Sequence, residues 1–273
     1  MASARRATRR ATRHSAENET LTVAGRAGFV ARGVVYVLIG ALAVRIAFGD
    51  GGGSADRQGA LHQIAAQPFG KVMLWALVVG FAGMALWRGS RALLSAGPER
   101  KAGSRLLDGG RALFYGSVCW GTAVFAAGGG AGSGSNAQSQ DWTAKVLKLS
   151  YGRFLVGAGG CLLIGIGVVL AVRAAMRSFL KRLETARMGH RTRQAVTVLG
   201  VGGGVSRGAV FAAAGVFVLV AAVRYDPHRA KGVDATLRSF AHTPAGPWLL
   251  VAVAVGLMLF GVFSFASARW RRL

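Results

Sequence analysis

Arg32-Gly-Val-Val-Tyr-Val-Leu-Ile-Gly-Ala-Leu-Ala-Val-Arg-Ile-Ala-Phe48 is an apolar run with a basic residue at its head, an aromatic four residues on and a small residue four beyond that. The same head occurs twice more, as Arg111-Ala-Leu-Phe-Tyr115 followed by Cys119 and as Arg207-Gly-Ala-Val-Phe211 followed by Gly215. Steps of four put Arg, aromatic and small residue on one face of a helix. The three heads define a repeat whose odd-numbered helices begin at these arginines.

Apolar runs cover Gly33–Phe48, Val72–Trp87, Ala112–Ala127, Phe154–Val172, Ala209–Val223 and Trp248–Ala268. Some fall short of the roughly 20 residues that a bilayer requires, but small uncharged flanks lengthen them and terminal Arg side chains reach the interface. Apolar residues make up 52% of the chain against 16% charged, which excludes an ordinary soluble surface. Arg45 is the one charge inside a run. It lies about a turn from the end of its helix, where snorkelling suits it, although an intramembrane charge is also a functional candidate.

The net charge of +24 raises nucleic acid as a partner. The distribution of that charge argues against it. Lys and Arg number 24 in the segments on one side of the runs and 9 on the other, while the acidic residues divide evenly. This bias orients a multi-pass protein with both termini cytoplasmic. No basic motif interleaved with aromatics accompanies it. Anionic lipid headgroups at the cytoplasmic face are the expected partner, with an unknown protein partner as a second possibility and no nucleic acid.

Downstream of each head lies a loop Asp (Asp56, Asp141, Asp234), read as the N-cap of a short amphipathic helix at the interface. An apolar residue stands six before a Gly in every repeat: Ile64/Gly70, Val146/Gly152 and Phe240/Gly246. Arg and Gly are 38, 41 and 39 residues apart. Repeats of two spans share one orientation, so they are parallel repeats about an axis along the membrane normal.

The predicted fold is an all-α integral membrane bundle of six transmembrane helices. They form three parallel two-helix repeats in a pseudo-threefold arrangement, with short amphipathic interfacial helices in the external loops. A disordered basic cytoplasmic tail covers 1–23, and membrane repeats cover 24–97 and 98–180. A basic cytoplasmic linker covers 181–197, and the third repeat with the C-terminal tail covers 198–273. Gly128–Gln140 reads as a flexible external loop.

The segment Gly25-Arg-Ala-Gly-Phe-Val-Ala-Arg-Gly-Val-Val-Tyr36, with Ala55-Asp56, Gln67-Pro68-Phe69-Gly70 and Trp87-Arg88, resembles the bacterial membrane family catalogued as domain of unknown function 1206. The resemblance covers about residues 24–272 and implies three tandem copies of the two-helix unit. The second and third repeats replace Gln-Pro-Phe-Gly by Leu149-Ser-Tyr-Gly152 and Thr243-Pro-Ala-Gly246. The resemblance implies architecture and location and carries no activity or catalytic residues.

Arg32, Arg111 and Arg207 are candidate anion or lipid-headgroup contacts, since guanidinium groups bind phosphate bidentately. As interfacial anchors they would serve equally to fix helix depth. Tyr36, Tyr115 and Phe211 are the repeat-equivalent aromatics, read as belt or packing residues, as are Trp75, Trp87, Trp142, Trp248 and Trp270. Cys119 and Cys161 read as small packing residues. No nucleophile–base pair, paired carboxylate or metal-ligand spacing is present, so neither enzyme activity nor a cofactor is expected. The function expected is structural or interactive within the bacterial plasma membrane. The alternative is a transporter or channel for a small solute or lipid along the pseudo-threefold axis.

Overall fold

A computed structural model describes residues 2–49, 53–93, 102–129, 134–185, 188–241 and 246–271. Its elements are α1 (Ala2–Ala47), α2 (Arg57–Ala65), α3 (Gly70–Leu93), α4 (Ala102–Ala126), α5 (Ser135–Leu147), α6 (Gly152–Ala175), α7 (His190–Arg224), α8 (Val233–Ala241) and α9 (Gly246–Trp270). The described residues contain no strand beyond one antiparallel bridge, Leu183 to Arg271, where the Glu184 N–H donates to Trp270 O at 2.9 Å.

Among the described residues, five helical segments are long and apolar enough to cross a membrane: Thr22–Ala47, Gly70–Leu93, Gly152–Ala175, His190–Arg224 and Pro247–Trp270. α4 matches them in length, but Arg105, Asp108 and Arg111 dilute its first half. The backbone of α1 is helical from Ala2, where the sequence predicts an irregular tail over 1–23; the side chains of residues 2–21 lie outside the description. α7 begins inside the expected linker of 181–197. His242 and Thr243-Pro-Ala lie outside the described residues.

The long helices pack in one continuous series. α4 lies on α3, α3 on α1, α1 on α9, α9 on α7 and α7 on α6, whereas α4 and α6 do not pack on each other. Close contact between such apolar helices relies on small residues that let backbones approach.

The Gly40, Cys119 and Gly215 positions serve that purpose. Each odd helix meets the even helix of the preceding repeat through two small residues seven apart. A Cβ built on Gly208 would stand 2.6 Å from Gly167 O, and one on Gly215 2.8 Å from Gly160 O. Likewise Gly40 faces Ala254 O at 2.7 Å and Gly33 faces Gly261 O at 2.9 Å. Between α4 and α3 the bulkier Cys119 lies with Sγ 3.5 Å from Val78 O. Cys161 is exposed on α6.

The short helices close the far end as a ring. Asp56 Oδ1 accepts from the Gly59 N–H at 3.0 Å, capping α2, and its Oδ2 accepts from the Ser135 N–H of α5 at 2.8 Å. Asn136 Oδ1 accepts from the Gly232 N–H at 3.3 Å, and Asp234 Oδ1 accepts from the Ala55 N–H at 2.7 Å. Each repeat thus holds the next, and the third holds the first.

This corrects the sequence register in the second repeat. Asp141 sits exposed within α5, and Asn136 occupies the ring position, because an amide oxygen accepts as a carboxylate does. The same contacts draw Ser135–Gln140 into a helix where a flexible loop is expected. The spacing of apolar residue and Gly also has a cause: a Cβ on Gly70 would meet Ile64 O at 2.5 Å, and Gly152 abuts Val146 O in the same way.

Asp56 is buried. Asp56→Ala is expected to cost about 1–3 kcal/mol, combining a lost cap with an unsatisfied Ser135 N–H. Hydrogen exchange should quicken at Ser135 and Gly59 and stay unchanged in α9; equal exchange with the parent would show that the ring contributes no rigidity.

Candidate functional site

The site lies at the opposite end of the bundle, where odd helices begin and even helices finish. Arg32 enters the interior from α1 because Gly33 presses that helix against α9. Arg32 Nε donates to Ser264 Oγ at 3.1 Å, and its guanidinium stacks over Phe29 at 4.8 Å and Phe260 at 5.0 Å. Arg207 enters from α7, held near α6 by Gly208. Its guanidinium lies over the rings of Phe260, Phe211 and Tyr36 at 5.0, 5.3 and 5.6 Å. Such contacts contribute about 0.5–2 kcal/mol each but leave the N–H groups free to donate elsewhere.

Tyr115 reaches across from α4. Its hydroxyl faces Arg32 and lies within electrostatic reach of Arg207 and Arg88, while its ring stacks on Phe81 at 6.4 Å. Arg32 and Arg207 have no carboxylate in ion-pair range among the described residues. Arg207 Nε is buried without a hydrogen-bond partner.

Beside this cluster lies a pair that the sequence reading passes over. Arg88 Nη1 donates to Asp108 Oδ1 at 2.9 Å, with both side chains buried. Arg111 and Arg91 approach the same carboxylate at 3.5 and 4.0 Å. Arg88 also lies over the Trp87 ring at 4.5 Å. Trp87 is therefore a core residue, buried against Phe29 at 6.0 Å, and not part of an interfacial belt. Trp75, Trp142 and Trp248 are exposed.

Of the three repeat-equivalent arginines, the structure brings together Arg32 and Arg207, along with Tyr36, Tyr115 and Phe211. Arg111 stays apart: it is exposed and turned to Asp108 on its own helix. Arg45 is exposed in the last turn of α1, far from the cluster. The only flag for Asp108 in sequence is an acidic residue three before Arg111. Nothing local announces that Arg88 will meet it.

Chemically, the cluster offers guanidinium and phenol donors to an anion in apolar surroundings. At the far end, burial pushes the Arg57 guanidinium below its ordinary value, with Asp56 opposing.

The chain is 29% identical over 253 residues to an uncharacterised protein of Bacillus subtilis (strain 168), YxxB, covering 91% of this chain and 90% of that one. No solved structure matches it. Residues 27–95, 109–177 and 202–271 each match one copy of a single family, and each copy holds one odd helix, one short helix and one even helix. The chain therefore belongs to the family described as Domain of Unknown Function (DUF1206).

Proposed function

We propose that this protein crosses the bacterial inner membrane six times, with α4 as the sixth span, about a pseudo-threefold axis and with both termini in the cytoplasm. Its role there is structural and lipid-binding: it holds anionic lipid headgroups at its cytoplasmic end. The observation that carries this reading is the cluster of Arg32, Arg207 and Tyr115, which presents donors and positive charge with no carboxylate among the described residues to neutralise the two arginines. The excess of Lys and Arg at the same end supports the orientation. It also adds roughly 1 kcal/mol of attraction to anionic lipid per residue close to the surface.

Transport along the axis has less to rest on. Val35, Ile39, Phe81, Val118 and Leu257 fill the interior with apolar side chains, and the ring of α2, α5 and α8 crosses the far end. No enzymatic role is proposed.

The test is lipid retention through detergent purification, read by native mass spectrometry. Phosphatidylglycerol should remain bound in preference to phosphatidylcholine. Arg32→Gln with Arg207→Gln should weaken that retention by tenfold or more, since each lost charge-assisted hydrogen bond costs about 1.5–3 kcal/mol. Equal retention of the two lipids, or no change in the double variant, would sink the reading.

A further inference from the structure

Five pairs of long helices are packed, and the two helices at the ends of that series, α4 and α6, both belong to the second repeat. The cause of their separation is visible residue by residue. In the first repeat Gly28, four before Arg32, sits under Met84, and Gly80 sits against Ala31. In the third repeat Gly203, four before Arg207, sits against Phe260, and Gly256 against Ser206. The corresponding residues of the second repeat are Leu107 and Leu162. Two leucines stand where two glycines allow contact elsewhere, and α4 and α6 stay apart.

The gap leaves apolar surface uncovered. Phe114 is 59% exposed, whereas its equivalents Val35 and Val210 are 6% and 4% exposed. Leu107, Leu162 and Ile166 are exposed as well, and Gly116 and Gly159 have no neighbour near their missing Cβ. Tyr115 follows Phe114 on the wall of this gap and reaches the guanidinium groups inside. The uncovered face of α4 thus adjoins, through Tyr115, the cluster that holds the buried, unpartnered Nε of Arg207.

We propose that the opening between α4 and α6 is a lateral entry for one anionic phospholipid. Its acyl chain lies along Phe114, Leu162 and Ile166, and its phosphate is held by Arg207 and Tyr115. An amphiphile fits both halves: the uncovered side chains of α4 and α6 are apolar, and the cluster that Tyr115 adjoins is cationic. A soluble phosphate matches only the second half. This inference rests on the lipid-binding reading and adds a route and a position to it.

The experiment uses the full chain in vesicles containing phosphatidylglycerol with a photoreactive group on its acyl chain. After irradiation, label should concentrate on α4 and α6 peptides containing Phe114, Leu162 and Ile166. Excess unlabelled phosphatidylglycerol should displace it, and glycerol phosphate should not. Arg207→Gln should lower this labelling about tenfold, while Arg207→Lys retains most of it and the outer face of α9 labels as before. Leu107→Gly with Leu162→Gly, which gives this repeat the small residues of the other two, should abolish labelling of Phe114.

Label spread evenly over every outward helix face would overturn the proposal, as would unchanged labelling in Arg207→Gln or in the double glycine variant. Competition by glycerol phosphate would assign the cluster to a free anion. Even labelling alongside selective retention of phosphatidylglycerol would remove the lateral entry alone and leave the headgroup reading in place.

Discussion

Asp108→Asn is expected to be among the most damaging single substitutions in the protein, at about 3–5 kcal/mol. Asp108 lies 2.9 Å from Arg88, with Arg111 at 3.5 Å and Arg91 at 4.0 Å, and both members of the closest pair are buried. Removing the carboxylate's charge leaves the buried Arg88 near the like charge of Arg111 with no carboxylate to offset it. Arg88 is already under-served, since its Nε is buried without a partner. The apparent melting temperature in detergent reads the effect. Arg88→Leu combined with Asp108→Leu removes both charges and should recover most of the loss, because an apolar pair of similar volume is often no less stable than a buried ion pair. A double variant as unstable as Asp108→Asn would show that the uncompensated Arg88 charge is not what makes the single substitution costly.

The second large effect is expected at Gly208. Here α6 and α7 touch backbone to backbone, and a Cβ would stand 2.6 Å from Gly167 O and 2.8 Å from Ala171 N. A flexible side chain gives way to such an intrusion, but a helix backbone does not, so Gly208→Val must push the helices apart along their whole contact. The expected loss is about 3 kcal/mol, the upper part of the usual range for overpacking. Gly116→Val is the control, as nothing lies near its missing Cβ, and it should stay within about 0.5 kcal/mol of the parent. Similar melting shifts in the two variants would mean that helix propensity, and not the close approach, sets the cost.

Much of this architecture is legible in sequence because certain residues have tasks that no other type performs. A small residue eight after each head arginine is required where two backbones meet, and Gly70 and Gly152 are required where a short helix turns into a long one. Those positions show through any divergence between repeats. The ring at the far end is less legible, because Asn136 and Asp56 accept the same hydrogen bond and an alignment by acidic residues settles on Asp141 instead. Arg32 and Arg207 can be identified as candidates, but not their separation from Arg111. That separation depends on the neighbours each helix finds, and Leu107 and Leu162 deny α4 its second neighbour. Trp87 stays open between belt and packing in sequence for a related reason: near a helix end an indole suits either, and the packing of Phe29 and Arg88 around it shows that it faces inward.

The pairing of α1 with α9 has a consequence for synthesis. Gly33 and Gly40 find their partners in Gly261 and Ala254, and the Arg32 hydrogen bond to Ser264 spans 232 residues. At about 5–20 residues per second, roughly 10–45 s separate the emergence of the first helix from that of its mate. If the chain inserts as proposed above, a helix with an unsatisfied guanidinium and an uncovered small-residue face waits in the bilayer throughout that interval. The first helix to be inserted is thus among the last to be seated, and the nascent chain is most vulnerable to wrong association just before it is complete.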